Sequence, residues 1–348
     1  MSNSVSTKRG DSLTLDSHID IPWPDQPGSF TGEGEGKRQA TLLGMQKGQL
    51  NAGCFVAFTP QGRLDSQAFE AAWQRCCKML SVIIDMASPA HKAVLCVTPE
   101  GVNMAYNNSQ VALIPVVENA YPIGEDIKRL ELLAQKGIGY ITLTHNGHNQ
   151  IADSAVFRPA LGEKAYLHHG LSDFGREVIQ HMNNLGIMVD VSHGSKHSME
   201  QAVQCSEVPV VASHSCIRAL SDHPRNMDDS QLDLLRETGG VIQITALDVF
   251  LRRTASSHNP VNLSDLVAHI AYAVNRVGIE HVGISSDFEG GGGIQGWQNT
   301  AETQNVTAAL ENYGFDPSEI RALWGENFLR VWRQAQFYSQ EKKAKNHF

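Results

Sequence analysis

No basic run occurs in this 348-residue chain before the short segment Lys342-Lys343-Ala344-Lys345, and 28 Lys+Arg face 37 Asp+Glu for a net charge of −9. Electrostatic capture of nucleic acid or of an anionic membrane is therefore not expected. Long apolar runs are missing too: the longest, VALIPVV at 111–117, contains a proline and falls far short of the roughly 20 residues that cross a bilayer. The opening MSNSVSTKRGDSLTLD holds a Lys-Arg pair but no apolar segment of the length a secretory leader needs, so export by that route is not expected. The six cysteines (Cys54, Cys76, Cys77, Cys96, Cys205, Cys216) form no C-x-x-C pair and keep no regular spacing. That favours reduced, buried thiols in a cytoplasmic protein over disulfides. With 41% hydrophobic and 19% charged residues, disordered and collagen-like chains are excluded and a soluble globular protein remains.

Periodicity supplies the fold. Short β-rich runs at 13–20, 52–59, 111–119, 139–145, 187–193, 209–214, 241–246 and 281–288 alternate with helical patterns. In one of these, Leu171, Phe174, Val178, Ile179, Met182 and Leu185 share a face. Asn262 reads as the cap of another, with Asp265 in its first turn. Gly137, Gly186, Gly239 and Gly278 stand directly before strands, where a helix ends most easily in a left-handed residue. The near-continuous apolar runs IMVDV, VPVVAS and VALIPVV suit parallel strands covered by helices. Eight such units predict a (β/α)8 TIM-type barrel. An open doubly wound sheet would need a Gly-rich turn after its first strand, where this chain has Pro22, Trp23 and Pro24. An insertion is expected between the second and third strands, with a helix near 65–87 and an extra strand at 93–98. No linker divides the chain, so 1–348 reads as a single barrel domain with its core at about 13–332, flexible tails at 1–12 and 338–348, and mobile glycine loops at 32–36 and 290–293.

The chemistry gathers at strand ends. His18 and Asp20 close the first strand, Glu118 the third, His145 the fourth, His193 the fifth, His214 the sixth and Asp287 the eighth. In a parallel barrel those ends converge over the axis, where active sites form. His18 and Asp20, two apart on a strand, face one side and can grip one cation, and imidazole nitrogen with carboxylate oxygen suits zinc. The two oxygens of Glu118 can bridge a pair of cations about 3.5–4 Å apart, as in two-metal hydrolytic sites. Blander readings stand beside these. An isolated H-x-D is common by chance, His193 can cap the next helix or satisfy a buried carbonyl, and Asp20 and Asp287 both fit turns. The matching contexts VDVSHGS and VVASHS weigh toward a ligand pair. His148, His168-His169, His197 and His223 lack such a placement and read as surface or loop residues.

From about residue 13 to 332 these segments resemble the membrane dipeptidase (renal dipeptidase) family of zinc peptidases, a branch of the metallo-dependent, amidohydrolase-like barrels. The carriers are DSHIDIPW (16–23), VVEN (116–119), YITLTHN (140–146), GLSDFGREVIQHMNNLGIMVDVSH (170–193), PVVASHS (209–215), Arg225-Asn226, VGISSDFEG (282–290) and ENFLRVW (326–332). The resemblance implies two Zn2+ per chain and hydrolysis of dipeptides, including those with a D-residue second. It implies that His18 and Asp20 hold the first zinc, His193 and His214 the second, and that Glu118 bridges. His145 would then meet the tetrahedral intermediate, Arg225 the substrate's terminal carboxylate, and Asp287 would shuttle the proton. A small dipeptide is the expected partner, with a homodimer as a possible assembly, no nucleic acid and no membrane. Two rival readings keep the fold: a metal-dependent amidohydrolase for a cyclic amide, lactone or N-acyl amino acid, and a metal-binding homologue without turnover. One departure stands out, since the family pattern after the bridging glutamate is two glycines and a histidine. Here Glu118 precedes Asn119-Ala120-Tyr121-Pro122, and a differently shaped backbone is expected beside the metals. Pro224 is expected to stiffen the loop carrying Arg225.

Overall fold

The computed structural model describes residues 12–32, 38–254 and 256–346. Residues 33–36 of the first expected glycine loop, and 1–11 and 347–348 of the expected tails, lie outside the described residues. Among the described residues nine strands form: β1 (Leu15–Asp20), β2 (Ala52–Phe58), β3 (Ala93–Leu95), β4 (Val111–Glu118), β5 (Tyr140–Thr142), β6 (Met188–Asp190), β7 (Val211–Ser215), β8 (Val241–Thr245) and β9 (Val282–Ser285). All but β3 pair in the order β1-β2-β4-β5-β6-β7-β8-β9. The circle closes just beyond β9, where Ile19 bridges to Phe288 and the Asp287 N–H donates to the His18 carbonyl at 3.1 Å. The result is the expected eight-stranded parallel barrel, with helices between successive strands.

The insertion explains a proline inside a central strand. A proline has no N–H to give a sheet ladder. Along β4, Leu113 O accepts from Cys96 just past β3, whereas Pro115 O accepts from Gly139 just before β5. Pro115 therefore stands where β4 changes partners, at a point where no neighbour needs its N–H. The helix of the insertion runs over Ser66–Asp85, close to the expected 65–87.

Two packed layers follow from strand alternation. Leu15, Ala52, Cys54, Val56, Ala112, Ile114, Val116, Tyr140 and Met188 fill the barrel together with Phe328, Leu329 and Trp332 of the helix Asn327–Asn346. Ile19, Phe55, Leu113, Val117 and Ala212 point outward into the helical layer. The long C-terminal helix corrects the tail expected at 338–348. Through Asn346 that segment is helical, and Ser339 is buried with its hydroxyl donating to Asn184 O at 2.7 Å. Helix ends match the sequence reading: Asn262 and Asp265 form a reciprocal capping box, and Gly186 closes Asp173–Leu185 at φ 78°. No helix among the described residues is long and apolar enough to cross a membrane.

Candidate functional site

Alternation alone would aim two of the histidines away from the axis. On β4 it suffices: Glu118 continues the inward row Ala112, Ile114, Val116. On β1, Leu15 faces in but Ile19 faces out, and the pairing with β2 slips by one residue between Asp16 and Ile19. On β7, Val211 faces in, Ala212 out, and the register to β8 slips between Ala212 and Ser215. Each slip inserts one extra residue, a bulge, and flips the parity so that His18 and His214 turn inward. His145, His193 and Asp287 were expected at strand ends, but β5, β6 and β9 stop earlier and these three sit on the loops that follow. His193 and Asp287 take left-handed backbone angles, φ 65° and 58°, which ends a strand and costs on the order of 1 kcal/mol each.

The side chains converge. Glu118 Oε1 lies 3.1 Å from His193 Nε2, 3.4 Å from His214 Nε2 and 3.8 Å from His18 Nε2. Asp20 Oδ2 lies 3.6 Å from the same His18 nitrogen, which has no hydrogen-bond partner although it is buried. The remote nitrogens are spoken for. Tyr140 donates its hydroxyl to Ser17 O at 2.9 Å, so at 2.8 Å from His18 Nδ1 it accepts that ring's proton. Ser213 donates to Asp190 Oδ2 at 2.6 Å and likewise accepts from His214 Nδ1 at 2.9 Å. Asn146 Oδ1 accepts from His193 Nδ1 at 3.1 Å. With an Nδ1 proton engaged on each ring, the three Nε2 atoms face one carboxylate oxygen, and His193 Nε2 and His214 Nε2 stand 2.9 Å apart. Lone pairs turned on one another in a buried place suit a cation, and outer partners that fix the tautomer are what metal-binding histidines carry.

Electrostatics agree with that donor chemistry. Burial, then Arg225 and neighbouring histidines, hold the His193 and His214 pKa values well below the usual range, so both rings are the neutral bases a metal requires. Burial disfavours charge on His18 as well, but Asp20, Glu118 and Asp287 overcome it and lift its pKa to about 10. Three carboxylates around one imidazole call for positive charge there. The ligand-capable groups form three overlapping triads, each within reach of one ion: His18–Glu118–His214, Glu118–His145–His193 and His18–Asp20–Asp287. The site thus has the capacity for more than one divalent ion, and His145 and Asp287 also stand within ligand range.

A cavity of about 520 Å³ opens over these groups. Arg225 lines it, 5% exposed, with its guanidinium 5.4 Å from the Phe250 ring centre and Nη2 donating to His214 O at 3.1 Å. Its Nε has no partner, and no described carboxylate pairs with it. Burial lowers the Arg225 pKa to about 10, against the pull of Glu118 and Asp287, which still leaves it charged at neutral pH. Burial first, and Asp20 next, raise the Asp287 pKa, while His18 and Arg225 oppose.

Several working parts were not found from sequence. His223, read as a surface or loop residue, lines the cavity and packs on Phe250 with ring centres 4.6 Å apart. His148, in the same group, is a loop residue but buried, holding Lys164 O at 2.9 Å. The glycines at 290–293, expected as mobile, are pinned: Gly290 and Gly292 donate to Asp287 O at 3.2 and 2.8 Å, and Gly293 to Ala246 O at 2.9 Å. A Cβ on Gly290 would lie 2.1 Å from Asp20 Oδ2 and 2.5 Å from Asp287 Oδ1, so only glycine admits both carboxylates. After Glu118, Asn119 adopts φ 74°, the conformation a glycine would supply, and its amide donates to Thr59 O while its oxygen accepts from Asn149. Asparagine tolerates that geometry better than other residues with a Cβ, and it braces the turn as well.

Residues 8–346 match the membrane dipeptidase family, peptidase family M19. Dipeptidase tcpJ of Claviceps purpurea (strain 20.1) is 30% identical over 268 residues, covering 77% of this chain and 60% of that protein. Dipeptidase verJ of Clonostachys rogersoniana is 32% identical over 239 residues, covering 68% and 59%. The chain thus spans about three fifths of the length of these curated relatives. The crystal structure of the probable dipeptidase PvdM from Pseudomonas aeruginosa superposes with a TM-score of 0.87 at 28% identity, covering 94% of this chain and 96% of that one.

Proposed function

From the premise that the chain belongs to the membrane dipeptidase family, we propose that it is a dipeptidase that holds two zinc ions and hydrolyses small dipeptides with free termini. The observation that carries the reading is the meeting of three imidazole nitrogens on Glu118 Oε1, 3.1–3.8 Å away, beside an arginine with no anionic partner among the described residues. His18 and Asp20 would hold one ion, His193 and His214 the other, with Glu118 between them. Zinc bound there supplies hydroxide at neutral pH by lowering the pKa of water toward about 7, and polarises the scissile carbonyl.

The protein's own groups do the rest. Arg225 offers a planar fork to the substrate's C-terminal carboxylate, which selects short substrates whose carboxylate lies near the scissile bond. His145 is kept neutral because burial, followed by Arg225, holds its pKa down at about 3, so it can donate a hydrogen bond to the carbonyl oxygen as charge develops. Asp287 takes the proton of the attacking water and returns it to the leaving amide nitrogen, a task its raised pKa suits. All six thiols are free, which supports a reducing, cytoplasmic setting.

Zinc-loaded protein assayed against L-L and L-D dipeptides should release free amino acids. Arg225→Leu should raise KM roughly 10–100-fold with a smaller change in kcat, the loss of one charge-assisted pair. Turnover of cyclic amides, lactones or N-acyl amino acids without any dipeptide, and indifferent to Arg225→Leu, would replace this reading with the rival hydrolase.

A further inference from the structure

The catalytic cavity has a second arginine that the proposed chemistry does not use. Arg75 comes from the helix Ser66–Asp85 and lines the same cavity as Glu118 and Arg225. Its Nε donates to Phe58 O at 3.2 Å, its guanidinium lies 5.0 Å from the Trp23 ring centre, and no described carboxylate pairs with it. Lys78, one turn further along the helix, stands 5.0 Å from the same ring, again without a described acidic partner. Two cations therefore stand against one aromatic ring, that of Trp23, which is 40% exposed at the cavity's edge.

Barrel order fixes where this rim lies. Phe58 ends β2, Arg225 follows β7, and four strand steps separate β2 from β7 in either direction around the circle. The two arginines thus approach from opposite sides. Phe58 marks the path between, its ring 4.5 Å from that of His145 and its carbonyl held by Arg75. If the C-terminal carboxylate sits on Arg225 and the scissile carbonyl over the cluster at Glu118, the amino-terminal residue extends toward Phe58, Trp23 and Arg75. Its ammonium group is met nearer the centre by the carboxylates of Asp20 and Asp287, which leaves its side chain facing the rim.

We propose that Arg75, with Lys78 and Trp23 beside it, is a specificity-determining site that selects substrates carrying a carboxylate on the side chain of the amino-terminal residue. The inference rests on the dipeptidase reading and deepens it. A half-buried guanidinium without a counter-charge among the described residues gains most from an anion the substrate brings, and a guanidinium already stacked on an aromatic ring loses little freedom in taking it.

The test compares Glu-Ala with the neutral, nearly isosteric Gln-Ala, and with Lys-Ala and Leu-Ala, on the zinc-loaded full chain. The wild type should favour Glu-Ala over Gln-Ala at least tenfold in kcat/KM, mainly through KM, and the ratio should shrink as ionic strength rises. Arg75→Gln should bring that ratio close to one, Arg75→Lys should keep part of it, and Arg75→Glu should shift preference toward Lys-Ala. A wild-type ratio near one would overturn the proposal, as would an Arg75→Gln variant that slows both substrates in proportion, since a merely structural role leaves the ratio intact. Leu-Ala separates the two levels. Its cleavage without any acidic preference sinks only the role of Arg75, whereas no cleavage of any dipeptide sinks the dipeptidase reading along with it.

Discussion

His214 can offer its Nε2 lone pair only while something accepts the proton on Nδ1, and that acceptor is Ser213, itself committed as a donor to Asp190. Ser213→Ala should therefore weaken metal affinity by about 10–100-fold with the fold intact. Zinc titration followed by activity should show the loss at limiting zinc and recovery at excess; unchanged affinity would mean that the hydroxyl does not set the tautomer. Gly290 constrains the site by space alone. Gly290→Ala puts a methyl group within 2.1 Å of Asp20 Oδ2, so that carboxylate must turn aside. Displacing a group by about 1 Å can cost on the order of 100-fold in rate, and kcat/KM should fall by that order while circular dichroism stays native. The roles of both positions were invisible in the sequence for one reason. His18, Glu118 and His214 announce themselves by residue type at strand ends, whereas Ser213, Tyr140, Asn146 and Gly290 matter only through what they touch across the barrel.

At the scale of elements, the strands were legible because buried parallel strands carry apolar runs that glycines punctuate, and Gly137, Gly186, Gly239 and Gly278 do take positive φ, 75° to 92°. The bulges in β1 and β7 were not legible, since an extra residue in a strand leaves no signal in composition. They decide nonetheless which way His18 and His214 face. The C-terminal helix was cut short in the sequence reading because its last turns, rich in Gln, Glu and Lys, look solvated, while its buried contacts lie with the distant helix Asp173–Leu185. A helix also carries a titrating anchor. His269, on the helix Leu263–Val277, accepts from the Ile217 N–H at 3.1 Å and donates to Leu251 O at 2.9 Å, which fixes it neutral. Burial lowers its pKa to about 4 from the ordinary 6.5. Below pH 6.5 the unfolded chain gains a proton that the folded one refuses. Stability from this group is therefore complete above 6.5 and is lost as pH falls toward 4, by at most ~3 kcal/mol. Urea unfolding in chelator at pH 7 and pH 5 should show a shallower pH dependence for His269→Gln than for the wild type, and parallel curves would rule the group out.

For the molecule as a whole, the candidate ligands come from β1, β4, β7 and the loops after β6 and β9, which lie all around the circle. An ion on the axis therefore ties together strands that otherwise meet only through their neighbours. The closure between β1 and β9 is short, resting on Ile19–Phe288 and two backbone hydrogen bonds, and Asp16 reinforces it by accepting from the Ser286 N–H at 2.9 Å. Metal bound to the folded state and not to the unfolded chain adds ~2.7 kcal/mol per site at a free concentration 100 times Kd. Removing zinc with a chelator should thus lower the thermal midpoint by several degrees, and returning zinc should restore it. His193→Ala separates one site from two: the variant should bind one zinc per chain by elemental analysis, recover about half of the zinc-dependent rise in midpoint, and lose most activity. Two zinc ions still bound to that variant would contradict the ligand set, and a midpoint indifferent to chelation would contradict the idea that the centre helps hold the barrel closed.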